Sequence, residues 1–400
     1  MKRFLAYLLA FGLLFSLLPA GDTLVLTPIE AASAPYRYQL EAWELSHFMG
    51  KWLYKLRDVL PGEHRNREGR LAAVKEYFSL GQQARELSDE VERLASVAAS
   101  SPGQEALRAT QARLEQTRAR RDRLGARVEE VLESEISRGL AEQGLASRIG
   151  LIFPPVDFAF SSLPNLLVVS PRDRIETLDT VLLKSDIGVG DMNHLEDEIL
   201  QKEDLSALVE GTGGVATYPS VISSDYDLRT TLAIATHEWL HQFFFFRPLG
   251  QRYGSNPDMT TLNETAANLA SQELSDLVYE SMTGERVVRP PPEPSEPPAS
   301  QPQEPQGFDF NREMRRTRLR VDELLSQGKV VEAEQYMEAQ REVFVEQGYY
   351  IRKLNQAYFA FHGTYADSPA SVSPIDTELR EFRSLMPSVA EFLRQIARVS

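Results

Sequence analysis

The chain has 400 residues, no cysteine, a formal net charge of −15 at pH 7, and 42% apolar residues, enough for a sizeable core in one to three domains. The acidic balance argues against nucleic acid as a partner, because a phosphate-binding surface needs clustered lysine and arginine. Without cysteine there are no disulfides, thiol nucleophiles or thiolate ligands, so any metal must be held by histidine, aspartate or glutamate.

The first residues have the pattern of an export signal. Lys2 and Arg3 precede an uncharged apolar run from Phe4 to Ala20, which is typical of a signal peptide or a signal anchor. The cleavage-site candidates are poor, so removal of segment 1–20 and its retention as a membrane anchor both remain open. In either case we expect the rest of the chain to be extracytoplasmic, either membrane-anchored or secreted.

Residues 21–68 form an aromatic-rich segment that is expected to be helical. Its aromatic residues include Trp43, Phe48, Trp52 and Tyr54. Residues 69–141 then predict an antiparallel helical hairpin, because apolar residues recur at heptad spacing on both sides of the helix-breaking sequence SSPG at 100–103. The hairpin carries no chemical motif. We expect a solvated coiled coil that serves as a spacer, a lid or a dimerisation arm.

Residues 142–286 have the pattern of a small mixed sheet followed by helices. Short apolar runs bounded by turn residues predict strands. These runs are 166–170, 180–185 and 214–223. A helix is expected to begin near Asp227, after an N-cap at Ser224 or Asp225.

A second helix is expected at 261–282, with Thr261 as its N-cap and Leu262, Ala266, Leu269 and Leu277 as its buried stripe. Residues 287–308 are rich in proline and glutamate and predict a disordered loop. Residues 309–400 are again helical in pattern and are expected to form a C-terminal subdomain that closes the cleft. Gly328 separates two of its helices, and two short helices flank Pro387.

The first of the two central helices contains the sequence THEWLHQ at 236–242. His237 and His241 are four residues apart and share a helical face, so both imidazoles can reach one ion, and Glu238 can act on a bound water. In a chain with six histidines, an HExxH pattern arises by chance on the order of once in a hundred sequences. The alternative to a metal site is an ordinary helix with two surface histidines and a salt-bridged glutamate.

A hydrolytic zinc site needs three protein ligands and one open position for water. The third ligand has three candidates, Asp258, Glu264 and Glu273. Glu264 is favoured, because it falls in the first turn of the second helix, where an antiparallel neighbour would direct it at the histidines. Glu273 lies more than two turns further along the helix, and Asp258 in a preceding loop is the fallback.

The sequence HEWLH at 237–241, followed downstream by NETAAN at 263–268, resembles the gluzincin branch of the zincin metallopeptidases. The resemblance is firm over 214–282. It implies Zn²⁺ held by His237, His241 and Glu264, with Asn268 supporting a ligand histidine. It also implies that 214–223 is an edge strand able to pair with an extended peptide substrate.

The resemblance further implies hydrolysis of peptide bonds through a metal-activated water, with Glu238 taking the water proton and returning it to the leaving amine. A tyrosine or histidine from the C-terminal part would stabilise the oxyanion. The candidates are Tyr358, His362 and Tyr365, which would share one face of a continuous helix. His362 is the first choice, and ordinary packing aromatics are the alternative. The surrounding sequence, LNQAYFAFHGTY at 354–365, is weakly similar to predicted bacterial aminopeptidase-type proteins.

The sequence therefore predicts a mainly helical α+β protein: a zincin-like small mixed sheet, an active-site helix and C-terminal helices, with an inserted antiparallel helical hairpin. The expected function is that of an exported zinc-dependent metallopeptidase acting on a peptide or protein. Two alternatives remain open. One is a catalytically inactive extracytoplasmic scaffold or interaction protein that uses the coiled coil. The other is a zinc hydrolase that acts on a non-peptide amide.

Overall fold

The computed structural model describes residues 26–47, 51, 67–97, 101–289 and 307–400. Within these residues the protein is mainly helical with two small sheets, which confirms the mainly helical α+β class. The predicted signal segment 1–20 and most of the Pro-rich loop lie outside the described residues, as do Phe48, Trp52 and Tyr54. In the described ranges, no helix is both long enough and apolar enough to cross a membrane.

The helices are numbered in chain order. They are α1 Pro28–Ser33, α2 Arg67–Val97, α3 Ser101–Glu142, α4 Val189–Glu203, α5 Leu228–Phe245, α6 Pro248–Gln251, α7 Pro257–Thr283, α8 Phe310–Ser326, α9 Val330–Glu346, α10 Gln356–His362, α11 Ile375–Leu385 and α12 Val389–Ile396. The strands are β1 Phe158–Phe160, β2 Asn165–Pro171, β3 Asp179–Leu183, β4 Leu205–Gly211, β5 Gly214–Val215 and β6 Ser220–Ile222.

The long helices α2 and α3 form the expected antiparallel hairpin, and ion pairs such as Arg67–Glu135 join them along its length. The C-terminal half of α3 packs in the core and is not a solvated coiled coil. Its residues Val128, Leu132 and Ile136 have 0% exposure and belong to the same core cluster as Trp239 of α5. This departs from the expectation of a solvated coiled coil, because half of α3 helps to support the helices of the central region.

The first sheet has the strand order β3-β2-β4 and is antiparallel throughout. The sequence predicted β2 and β3 but not β4 or α4. One face of the sheet packs on α4, where Leu195 and Ile199 are buried. The other face packs on α10, where Val168 and Leu208 contact Ala357. The first sheet therefore fixes the position of α10 and of the chain that follows it.

The second sheet has the order β1-β6-β5, with β1 parallel and β5 antiparallel to β6. The single strand predicted at 214–223 is wrong, because β5 and β6 form a hairpin around a turn at 216–219. Pro219 lies in this turn and lacks the N–H that a continued strand would need. The Gln242 side chain of α5 donates to Thr217 O at 2.6 Å and to Ser220 Oγ at 2.8 Å, so the hairpin is tied to α5.

Both central helices have a different N-cap from the predicted one, and the second helix also begins earlier in the chain than predicted. The N-cap of α5 is Asp227, whose carboxylate accepts from Thr230 N at 2.9 Å, rather than Ser224 or Asp225. Helix α7 begins at Pro257 after the N-cap Asn256, so its first turn precedes the predicted one.

Helices α5 and α7 pack tightly against each other. Small side chains allow this approach, since Ala266, Ala267 and Ala270 of α7 are at most 1% exposed. Leu277, which the sequence placed in the buried stripe, is 38% exposed. In the C-terminal part, Gly328 separates α8 from α9 with a left-handed φ of 72°, and α11 and α12 flank Pro387, as predicted.

We expect Leu132→Ala to lower the free energy of unfolding by about 2–5 kcal/mol, because a fully buried side chain of the core is removed. Urea denaturation followed by circular dichroism measures the change. Leu319→Ala is the control, because this side chain is 53% exposed on α8 and its loss should change the stability by less than about 0.5 kcal/mol. Equal effects of the two substitutions would show that α3 does not contribute to the core.

Candidate metal centre

Three side chains from α5 and α7 converge on one point. His237 and His241 lie one turn apart on α5, and their Nε2 atoms are 3.0 Å apart. Glu264 of α7 places its Oε2 at 3.5 Å from the first Nε2 and at 3.3 Å from the second. The three ligand atoms lie within 4.8 Å of one another. The structure thus brings together the three residues that the sequence predicted as metal ligands.

Asn263 orients one of the two histidines. Its Oδ1 lies 2.9 Å from His241 Nδ1, which fits an N–H donated by the ring. A proton on Nδ1 leaves the Nε2 lone pair of His241 directed at the convergence point, which is the arrangement a metal ligand needs. Asn268, the residue expected in this supporting role, instead donates its amide to Asp367 Oδ2 at 2.5 Å.

Glu264 is held by Tyr253, a residue that no sequence motif indicates. The Tyr253 hydroxyl donates to Glu264 Oε1 at 2.7 Å and fixes the carboxylate plane. Within the described residues, the other oxygen, Oε2, is buried and accepts no hydrogen bond. A buried carboxylate oxygen without a donor is costly unless a cation approaches it.

The pKa shifts of His241 and Glu264 also indicate a site that suits a cation. Burial would lower the pKa of His241, but Glu264, with smaller contributions from Glu238 and Asn263, raises this pKa to about 9. Burial would likewise raise the pKa of Glu264, yet the two histidines hold it well below its usual range. The pocket therefore favours a positive charge at the point where the three side chains meet. A divalent cation fits this donor set of two imidazoles and one carboxylate.

Glu238 follows the first histidine and is only 7% exposed. Burial raises the pKa of its carboxyl group, the nearby Glu264 adds to the increase, and the histidines oppose it. A Cβ on Gly214 of β5 would lie 2.4 Å from Glu238 Oε1. Only glycine at this position leaves room for the carboxylate, so the edge strand β5 lies directly against Glu238.

The three candidates for the oxyanion donor, Tyr358, His362 and Tyr365, do not lie on one surface. Helix α10 ends at His362, so the continuous helix that would align them does not form. Tyr365 lines the same cavity as His237, and Glu264, followed by burial, raises the pKa of its hydroxyl well above the usual value. Tyr358 and His362 instead pack on each other with ring centroids 4.2 Å apart.

The environments of these two residues are apolar. Burial lowers the pKa of His362 to about 4, and burial together with Glu210 raises that of Tyr358 to about 12. The other two ligand candidates are also remote from the group, because Asp258 is exposed at the start of α7 and Glu273 pairs with Arg383 at 2.7 Å.

His237 of this group and the neighbouring Glu238 line a cavity of about 650 Å³. Residues of α5 and α7 line the cavity, together with the segment Thr212–Gly214 that leads into β5. Phe361 of α10 and Tyr365, just after this helix, also line it. The Tyr226 hydroxyl donates to Gly213 O at 3.0 Å and fixes the edge segment beside α5. The cavity is large enough for several residues of an extended chain.

No family model matches this sequence, and no similar chain is found among the curated proteins or the solved structures. The residues of the cavity therefore provide the basis for assigning a function. Of the supporting residues, Asn263 could have been found from the sequence, because it directly precedes Glu264. Tyr253 and Gly214 could not, since nothing in their local sequence indicates what they contact.

We expect Asn263→Ala to weaken Zn²⁺ binding by about tenfold to a hundredfold, because the His241 ring loses the group that fixes its orientation. Competition against a chromophoric chelator measures the affinity. Asn268→Ala is the matched control, since this amide lies on the same helix and bonds to Asp367 rather than to a histidine. An unchanged affinity in Asn263→Ala would show that the hydrogen bond does not position the ligand.

Proposed function

We propose that the protein is a zinc-dependent metallopeptidase of the gluzincin type. The observation that carries the proposal is the buried convergence of His237, His241 and Glu264 beside the buried Glu238 in an open cavity. A Zn²⁺ ion held by the three ligands would supply a Lewis acid that activates water and polarises a carbonyl. The order of elements, with a small sheet, an HExxH helix and a glutamate-bearing helix, supports the same class.

Glu238 is proposed as the general base. It sits next to the ligand His237 without being part of the ligand set, and its raised pKa suits a group that accepts a proton and later returns it. Its position between β5 and the ligands would keep the carboxylate within reach of both water and the leaving amine. The absence of a side chain on Gly214 leaves the carboxylate free to occupy this position.

Tyr365 is proposed as the oxyanion donor in place of the first sequence choice, His362. Its hydroxyl remains protonated, because the carboxylate of Glu264, burial and Glu238 all raise its pKa. A neutral phenol that faces the ligands can donate a hydrogen bond to a developing negative charge. His362, by contrast, lies in an apolar environment with its ring against Tyr358.

The substrate is proposed to be an extended peptide. The segment Thr212–Gly214 and β5 form an edge of the second sheet along the cavity, where a bound chain could pair through its backbone. The apolar run Phe4–Ala20 supports an extracytoplasmic site of action.

Cleavage of a blocked peptide library by the zinc-loaded protein, read by mass spectrometry, tests the proposal. Bound zinc without cleavage of any peptide would favour the scaffold alternative.

We expect Glu238→Gln to retain one zinc per chain and to lower kcat by about a hundredfold to ten-thousandfold, because a general base is lost while the ligands remain. His241→Ala is the contrasting variant and should lose both the metal and the activity. Zinc content by atomic emission and initial rates of peptide cleavage measure the two effects. Full activity of Glu238→Gln would contradict its assignment as the base.

We expect Tyr365→Phe to lower kcat by about a hundredfold to a thousandfold with little change in KM, because only the transition state loses a hydrogen bond. Tyr358→Phe is the matched control and should leave kcat unchanged, since its ring packs on His362. The two variants are compared by steady-state kinetics on one peptide. A larger loss in Tyr358→Phe than in Tyr365→Phe would reverse the assignment.

A further inference from the structure

The cavity extends well beyond the metal ligands, along the antiparallel helices α5 and α7. Its floor beyond His237 consists of polar residues of α7, namely Asn268, Ser271 and Gln272. Its far end is lined by two arginines, Arg229 in the first turn of α5 and Arg289 in the segment after α7. The proposed zinc chemistry uses neither arginine.

The two guanidinium groups share one carboxylate. Asp276 Oδ1 accepts from Arg229 Nε at 3.4 Å and from Arg289 Nη2 at 3.0 Å. Arg289 Nη1 also donates to Gln272 Oε1 at 3.1 Å. These contacts hold both arginines in place before any ligand binds. In the described part of the chain, the contacts of Arg229 involve only its Nε, so both of its Nη atoms remain available.

Two guanidinium groups at this end of the cavity share the carboxylate of Asp276. Asp276 is 14% exposed and compensates one of the two guanidinium groups. Asp227 lies two residues before Arg229, and its carboxylate accepts from the N–H and the hydroxyl of Thr230 while keeping its negative charge. At the other end, a divalent cation would be compensated by Glu238 and Glu264. Within the described residues, the arginine end of the cavity therefore offers unused guanidinium donors, the two Nη atoms of Arg229, to an anionic group.

We propose that Arg229 and Arg289 form a subsite for a carboxylate of the peptide substrate. The inference rests on the proposed function and specifies its substrate class. Eight residues of helix separate Arg229 from His237, which corresponds to about 12 Å along α5. An extended peptide spans this distance in about three to four residues. The favoured substrate carries an acidic side chain or a free terminal carboxylate about three residues from the bond that is hydrolysed.

Guanidinium groups suit this role, because they bind carboxylates with two parallel hydrogen bonds. An acidic side chain and a C-terminal carboxylate present the same chemistry, so the test includes both. The probes are fluorescein-labelled heptapeptides with blocked ends: a neutral parent, a version with glutamate near the amino end, and a version with glutamate near the carboxyl end. A fourth peptide is the neutral parent with a free carboxyl terminus.

Binding is measured by fluorescence anisotropy on the zinc-loaded full chain carrying Glu238→Gln, which prevents turnover. We expect at least one anionic peptide to bind about tenfold more tightly than the neutral parent. Adding Arg229→Gln or Arg289→Gln should remove most of this advantage without changing the zinc content or the circular dichroism spectrum. Arg286→Gln is the control, because this exposed arginine lies in the same segment as Arg289 but outside the cavity lining.

The subsite is overturned if all four peptides bind equally, if none binds, or if the advantage persists when both arginines are replaced. Failure of the proposed function gives a different result, seen when the same peptides are incubated with the zinc-loaded unmodified chain. Cleavage of the neutral parent without any binding advantage of the anionic peptides would retain the peptidase and remove the subsite. A binding advantage without cleavage of any peptide would retain the subsite and remove the peptidase.

Discussion

The antiparallel packing of α5 on α7 brings two imidazoles and a carboxylate to one buried point, and the site depends on it. Alanines at the contact allow the helices to approach closely, so that Glu264 reaches both histidines. Such a group is unfavourable without a positive charge, because two lone pairs and a carboxylate oxygen face each other away from water. A cation bound by the three side chains would offset this cost.

The remainder of the protein holds this pair of helices in place. The C-terminal half of α3 packs in the same core as α5 and α7, and the first sheet fixes α10 and therefore the position of Tyr365. The second sheet forms the wall opposite the ligands, where Gly214 lies against Glu238. The cavity is thus built from elements that are distant in sequence, and its two ends differ in character. One end is lined by His237 and Glu238 of the candidate metal centre, and the other by Arg229 and Arg289.

The sequence and the structure agree where an interaction is local. The spacing of His237 and His241 places them on one face of any helix, whatever surrounds it. Glu264 lies beside both histidines, as expected, although its helix begins a turn earlier than predicted, since the antiparallel arrangement determines its reach. His362 illustrates the opposite case. Its placement depended on a helix continuing to Tyr365, but α10 ends at His362, and the two side chains face different surroundings.

By itself, the sequence determined the mainly helical α+β class, the HExxH pair and the glutamate that lies beside it, because helical periodicity and residue chemistry are local properties. Tertiary structure decided that 214–223 folds as a hairpin, that Tyr253 and Asn263 hold the ligands, and that Arg229 meets Arg289 across Asp276. These contacts join residues on different elements. Their geometry follows from how helices and sheets pack, which no single window of sequence contains.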